Sequence, residues 1–196
     1  MVALKVGITG GIGSGKTTVC RIFETLGIPV FSADDCAKRI LVDDAEVVTE
    51  INELFGHEAY LEDGKLNRTF IASKIFNDKQ LLQQMNQIVH PAVLKTYQLW
   101  HAGQTAPYTL NESALLFETG RYKQMDFNLL VTCPLETRII RVMKRDQVTH
   151  EQVMRRIENQ MPEDQKQNLA DETIENDGST LLISQVVKIH HKLTKK

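Results

Sequence analysis

Residues 10–17, Gly10-Gly11-Ile12-Gly13-Ser14-Gly15-Lys16-Thr17, carry the spacing G-x-x-x-x-G-K-[ST] directly after a short apolar run at residues 4–8. A loop of this kind binds phosphate. Its glycines let successive backbone N–H groups turn inward around phosphate oxygens, and the helix expected from about Gly15 adds the positive end of its dipole. Lys16 is placed to reach the β- and γ-phosphates of a nucleotide. Thr17 offers a hydroxyl to Mg²⁺, a hard cation that takes oxygen ligands.

A carboxylate at the end of the next strand is the second candidate. Residues 28–31 read as a short strand ending at Ser32-Ala33-Asp34-Asp35, and ligands of open parallel sheets gather at the carboxyl ends of the strands. Asp34 there suits a general base, although Asp34 or Asp35 also suits the start of a helix over 36–42. Arg68 follows Asn67, a good N-cap; an arginine at a helix start opposes the dipole, so it serves a ligand or is ordinary surface. His90 precedes Pro91, which predicts a break and a new helix from Pro91 to about Trp100. His90 then either donates to a phosphate or ribose or caps that helix. Glu112 and Glu118 belong to or follow a strand candidate over 108–114, where an acidic group either orients magnesium-bound water or is solvated. Arg138, Arg141 and Arg145, at i, i+3 and i+7, share one face of a helix over 135–145. Three guanidinium groups so placed repel unless they are solvated or face an anion, and mobile positive charge over a transferring phosphate is the chemistry of a lid.

The elements that must position these groups are those of one α/β core with insertions, which suits 196 residues with 42% hydrophobic and 24% charged content. Strand candidates at 4–8, 28–31, 108–114, 127–132 and about 170–176 alternate with helical patterns, whereas residues 44 to about 103 read as helical with a turn signal at Asp63-Gly64 and no further strand series. Thr149 and Gln152 form a capping-box pattern, and Pro162 suits the first position of a helix. The last helix is expected to carry Leu182, Ile183, Val186, Val187 and His190 on one face and to end in Lys192, Lys195 and Lys196. A net charge of −2 gives no general attraction for nucleic acid or an anionic membrane. No apolar run approaches a bilayer span, and Cys20, Cys36 and Cys133 lack the spacing of a disulfide framework or zinc site, which points to a reduced, cytoplasmic protein. No obligate protein partner is evident.

Together these segments resemble the dephospho-coenzyme A kinase family along nearly the whole chain. Residues 8–17 resemble its phosphate loop and Ala33-Asp34 its Asp-Ala-Asp segment. Residues 64–68, Val89-His90-Pro91, Leu115-Leu116-Phe117-Glu118, Arg141 with Arg145, Arg156-Ile157 with Gln160-Met161-Pro162, and Ala170-Asp171 through Asn176 follow in the family's order. The resemblance implies an α/β P-loop kinase fold with a five-stranded parallel sheet flanked by helices. Its nucleotide-binding core would occupy about 1–33, 104–137 and 168–196, a helical acceptor-binding insertion about 34–103, and a lid about 138–167. It implies transfer of the ATP γ-phosphate to the ribose 3′-hydroxyl of dephospho-CoA, with ATP as co-substrate and Mg²⁺ as cofactor. The implied ATP contacts are Gly11, Ile12, Gly13, Ser14, Gly15, Lys16, Thr17, Thr18, Arg141 and Asn176, with Thr17 on the metal. The implied acceptor contacts are Asp34, Arg68, His90 and Glu118, and the implied catalytic groups are Asp34, Lys16 and Arg141.

Ser32 stands where the family often has the first aspartate of Asp-Ala-Asp, which puts the base on Asp34. Glu112-Ser113-Ala114 also differs from the family's usual proline-containing approach to Leu-Leu-Phe-Glu. Another small-metabolite or nucleoside kinase would share the loop and lid and differ in acceptor. A non-catalytic nucleotide-dependent switch would leave Asp34 and the lid arginines without a purpose.

Overall fold

The computed structural model describes residues 3–76 and 78–195; Lys196, the end of the expected lysine tail, lies outside the described residues. Five strands, β1 (Leu4–Thr9), β2 (Val30–Ser32), β3 (Tyr108–Glu112), β4 (Phe127–Thr132) and β5 (Glu172–Glu175), form one sheet in the order β2-β3-β1-β4-β5, every pair parallel. Parallel strands require crossovers and cover on both faces, and β4 accordingly is buried at every residue. The helices are α1 (Lys16–Thr25), α2 (Ala33–Asp43), α3 (Ala45–Phe55), α4 (Arg68–Ile75), α5 (Lys79–Ala102), α6 (Leu135–Asp146), α7 (His150–Glu158), α8 (Glu163–Leu169) and α9 (Leu182–Thr194). No helix among the described residues is long and apolar enough to cross a membrane.

The chain divides into two compact units, one of them Ala33–Ala102 and the other the sheet with its remaining helices. In the sheet unit, Val6, Ile8, Leu110, Leu129 and Ile174 pack with Val19 and Phe23 of α1 and with α9. The buried residues of α9 are Val186, Ile189 and Leu193, with Leu182 half-buried against the same core, whereas Ile183 is 65% exposed. The stripe 182/186/189/193 keeps helical spacing, so the expected face was rotated by about one residue. The β2 ladder starts two residues later than expected, because Ile28 N–H bonds back to Phe23 O at the end of α1.

His190 of α9 lies 2.8 Å from the Tyr108 hydroxyl, Nδ1 to Oη. Burial and then the neighbouring His191 hold its pKa below the ordinary 6.5. The unfolded chain therefore takes up this proton first, so the pair's contribution is complete above about pH 6.5 and is lost as pH falls through the depressed folded value. The melting temperature should drop between pH 7.5 and 5.5, and His190→Gln should show a smaller drop. An identical pH profile for the two chains would contradict this assignment.

In the second unit α2, α3 and α5 pack on one another. Asp44 caps α3 by accepting from Glu46 and Val47 N–H, and Asn67 caps α4 by accepting from Phe70 N–H. The break expected at Pro91 is absent: α5 runs through it without interruption. Pro91 and Gln87 are both exposed, and Pro91 has no N–H to give the Gln87 carbonyl. Val89, Val93 and Tyr97 are buried along the same helix. That burial outweighs the local penalty, as tertiary packing commonly does, and His90 is consequently helical rather than extended.

Candidate active site

β1 brings the chain to the carboxyl edge of the sheet, and α1 leaves from Lys16. Between them Gly15 sits at φ 90°, in the left-handed region, and a Cβ there would also strike the Asn176 amide. Gly11 is required for a different reason, since a Cβ would collide with the Arg138 guanidinium. Ser14 N–H donates to Gly11 O at 3.0 Å, and Asn176 Nδ2 donates to Ser14 O at 2.7 Å. The Ser14 hydroxyl is buried without a hydrogen-bond partner among the described residues.

The start of α1 has no side-chain cap and no acidic residue in its first turn. Its first N–H groups and the positive end of its dipole are thereby left for an anion. Lys16 Nζ rests 3.4 Å from Gly10 O, a long contact that a phosphate oxygen can readily replace. Thr17 and Thr18 are exposed. Glu112 closes β3 opposite Ile8 of β1, at the loop's edge of the sheet. Burial first and the Glu112 carboxylate second push the Cys20 thiol of α1 up.

The three arginines of α6 do not act as one charged face. Arg138 is 6% exposed and bound to Glu163 at 2.8 Å; Arg145 pairs with Asp146 at 2.7 Å, which also takes Arg156 at 2.7 Å. Separate carboxylates thus relieve the expected repulsion, and Arg138 is no mobile charge. Arg141 meets no carboxylate among the described residues: Nη1 donates to Cys133 Sγ at 3.3 Å, and Nη2 lies 3.5 Å from both Asn176 oxygens. Burial raises the Cys133 thiol pKa despite Arg141 and Arg138, so a neutral sulfur meets the guanidinium. A cavity of about 550 Å³ opens beside this contact, lined by Thr132, Cys133, Leu135, Arg138, Asn176 and Asp177 among others. Asp177 closes the next turn, its carboxyl held near pH 2 by hydrogen bonds from Ser179 and Thr180.

Asp34, Arg68 and His90 belong to the unit Ala33–Ala102. Asp34 is exposed in the first turn of α2, two residues beyond the end of β2, and makes no hydrogen bond or ion pair to a described residue. Its neighbour Asp35 pairs with Lys38 at 2.6 Å. Arg68 opens α4 and is exposed, while His90 is half-buried within α5.

A profile of the family described as "Dephospho-CoA kinase" matches residues 4–181. The chain belongs to the dephospho-CoA kinase family. A relative so named from Bacteroides fragilis is 36% identical over 189 residues, 96% of this chain and 92% of its own. Another from Salinibacter ruber is 40% identical over 177 residues, 89% of each chain. A crystal structure from Thermus thermophilus superposes with a TM-score of 0.88 at 34% identity, covering 98% of both chains. The chain is a P-loop kinase of the enzyme family that completes coenzyme A.

Glu118, implied as an acceptor contact, has one oxygen engaged within the chain, whereas its Oε2 is buried with no hydrogen-bond partner among the described residues. Its Oε1 forms an ion pair with fully buried Lys166 at 2.9 Å and accepts from Met161 N–H at 3.0 Å. The Lys166 contact is electrostatic, since its ammonium makes no aligned hydrogen bond. Asp171, at the entry of β5, accepts from Asn128 N–H at 2.7 Å and fastens β5 to β4. Lys166 carried no signal in the sequence; only the fold brings it to Glu118 across 48 positions, from 118 to 166.

Proposed function

We propose that residues 11–18, Arg141 and Asn176 bind ATP, that Asp34, Arg68 and His90 serve the acceptor, and that these groups together transfer the γ-phosphoryl group to the ribose 3′-hydroxyl of dephospho-CoA. The observation that carries this reading is the uncapped α1 start, joined through Asn176 to the guanidinium of Arg141 beside the cavity. The loop N–H groups hold phosphate oxygens, and Lys16 leaves Gly10 O to sit on the β- and γ-phosphates. Arg141 moves from its weak rest on Cys133 and Asn176 onto the charge that develops between donor and acceptor. Asp34, which makes no hydrogen bond or ion pair to a described residue, accepts the hydroxyl proton.

Mg²⁺ fits this chain as an ion carried in by ATP. No cluster of three or more His, Cys, Asp or Glu among the described residues makes a metal cage, and a Thr17 hydroxyl with substrate oxygens and water is the donor set such an ion takes. When bound it neutralises phosphate charge. Glu112, at the loop's edge of the sheet, is better placed than Glu118 to order water there. Three buried cysteines outside any disulfide fit a reducing cytoplasm.

Magnesium-dependent ADP release with dephospho-CoA, shikimate, nucleosides and water as competing acceptors tests this reading. Stimulation by dephospho-CoA alone is expected. Stimulation by another acceptor would retain the fold and reject the substrate assignment.

A further inference from the structure

The peptide of Ile12, in the middle of the phosphate loop, is gripped at both polar ends by side chains from the far half of the chain. Its N–H donates to Gln160 Oε1 at 2.9 Å, and its C=O accepts from Arg138 Nε at 3.0 Å. Its side chain packs with Ile139, Val142 and Val153 in the small core shared by α6 and α7. Arg138 is itself fixed, because it is 6% exposed and its other end is bound to Glu163 at 2.8 Å. Next to the loop lies a cavity of about 230 Å³, lined by Gly11, Arg138, Gln160, Met161 and Glu163 among others. Packing does not fill that side, so the two hydrogen bonds act together with the packing of the Ile12 side chain to fix the loop.

We propose that Gln160 and Arg138 are positioning residues for phosphoryl transfer, which set the phosphate loop against the α6–α7 segment by holding the Ile12 peptide. Neither touches phosphate in this role; both act through the loop N–H groups that do. Position 160 must supply an acceptor of the right reach. Methionine has nearly the same length and keeps the apolar contacts, but its thioether is a weak acceptor. Gln160→Met would leave a part-buried N–H poorly bonded while Arg138 still pulls on the carbonyl side, and the loop N–H groups would turn away from the positions phosphate needs.

The inference rests on the loop binding ATP, which ADP binding by the parent chain tests separately. Gln160→Met is to be compared with the parent in steady-state kinetics and in the rise of melting temperature produced by saturating ADP. The expected result is about a tenfold fall in kcat/KM for ATP, the scale of one lost hydrogen bond, and a smaller ADP-induced rise. The KM for dephospho-CoA should stay at the parent value, and the melting temperature without nucleotide should fall by no more than the loss of one part-buried hydrogen bond gives. Parent-level kcat/KM and ADP response would overturn the proposal. So would a loss that falls equally on the KM for dephospho-CoA and on nucleotide-free stability, because that is the behaviour of a merely structural contact. An ADP response missing from the parent itself would instead count against the reading of the loop.

Discussion

Asp34→Asn should bind ATP as the parent chain does and transfer phosphate about 10²–10⁴-fold more slowly, the range by which a positioned general base accelerates proton transfer. The amide has the same shape as the carboxylate but does not take the hydroxyl proton. Asp34 is exposed and makes no hydrogen bond or ion pair to a described residue, so the exchange breaks no internal contact and the melting temperature should hold. Asp35→Asn is the matching control. Its carboxylate is engaged by Lys38 at 2.6 Å in a side-chain pair that is largely solvated, a kind of pair that contributes little to stability. Turnover in Asp34→Asn comparable to the parent would remove the base from this position.

Lys16→Ala should lower kcat by about 10²–10³-fold, as removal of one preorganised charge or donor does at a site where charge develops, and should weaken ATP binding as well. Because the ammonium's contact with Gly10 O is as long as 3.4 Å, the fold loses little when it goes. Lys16→Arg should not restore the rate, since a planar fork on a bulkier head does not reproduce a compact ammonium inside a tight loop. Unchanged turnover and affinity in Lys16→Ala would contradict the assignment of the loop to ATP.

What the sequence revealed was what is local. The phosphate loop could be read in eight contiguous residues because glycine, lysine and threonine there answer to phosphate geometry. The caps at Asn67 and at Thr149 with Gln152 could be read because a cap and its donor lie three residues apart. Partners distant in sequence left no such trace. Gln160 meets Ile12 across 148 positions, and Arg138 meets Ile12 across 126, so the buried arginine read as one of three solvated or anion-facing charges until the fold placed Glu163 beside it. The pairing of Glu118 with Lys166 on α8 left no trace for the same reason. At Pro91 the local rule was sound and packing overrode it. On α9 the apolar residues at 182–187 fit two overlapping stripes, and contact with the sheet chose the one that leaves Ile183 in water.

The most direct test of the account is to identify the product. Purified protein incubated with ATP, Mg²⁺ and dephospho-CoA should yield ADP and one new species heavier by a single phosphoryl group, and nuclear magnetic resonance should place that group on the ribose 3′-oxygen. Phosphate on any other oxygen, or ADP formed with dephospho-CoA left unchanged, would contradict it.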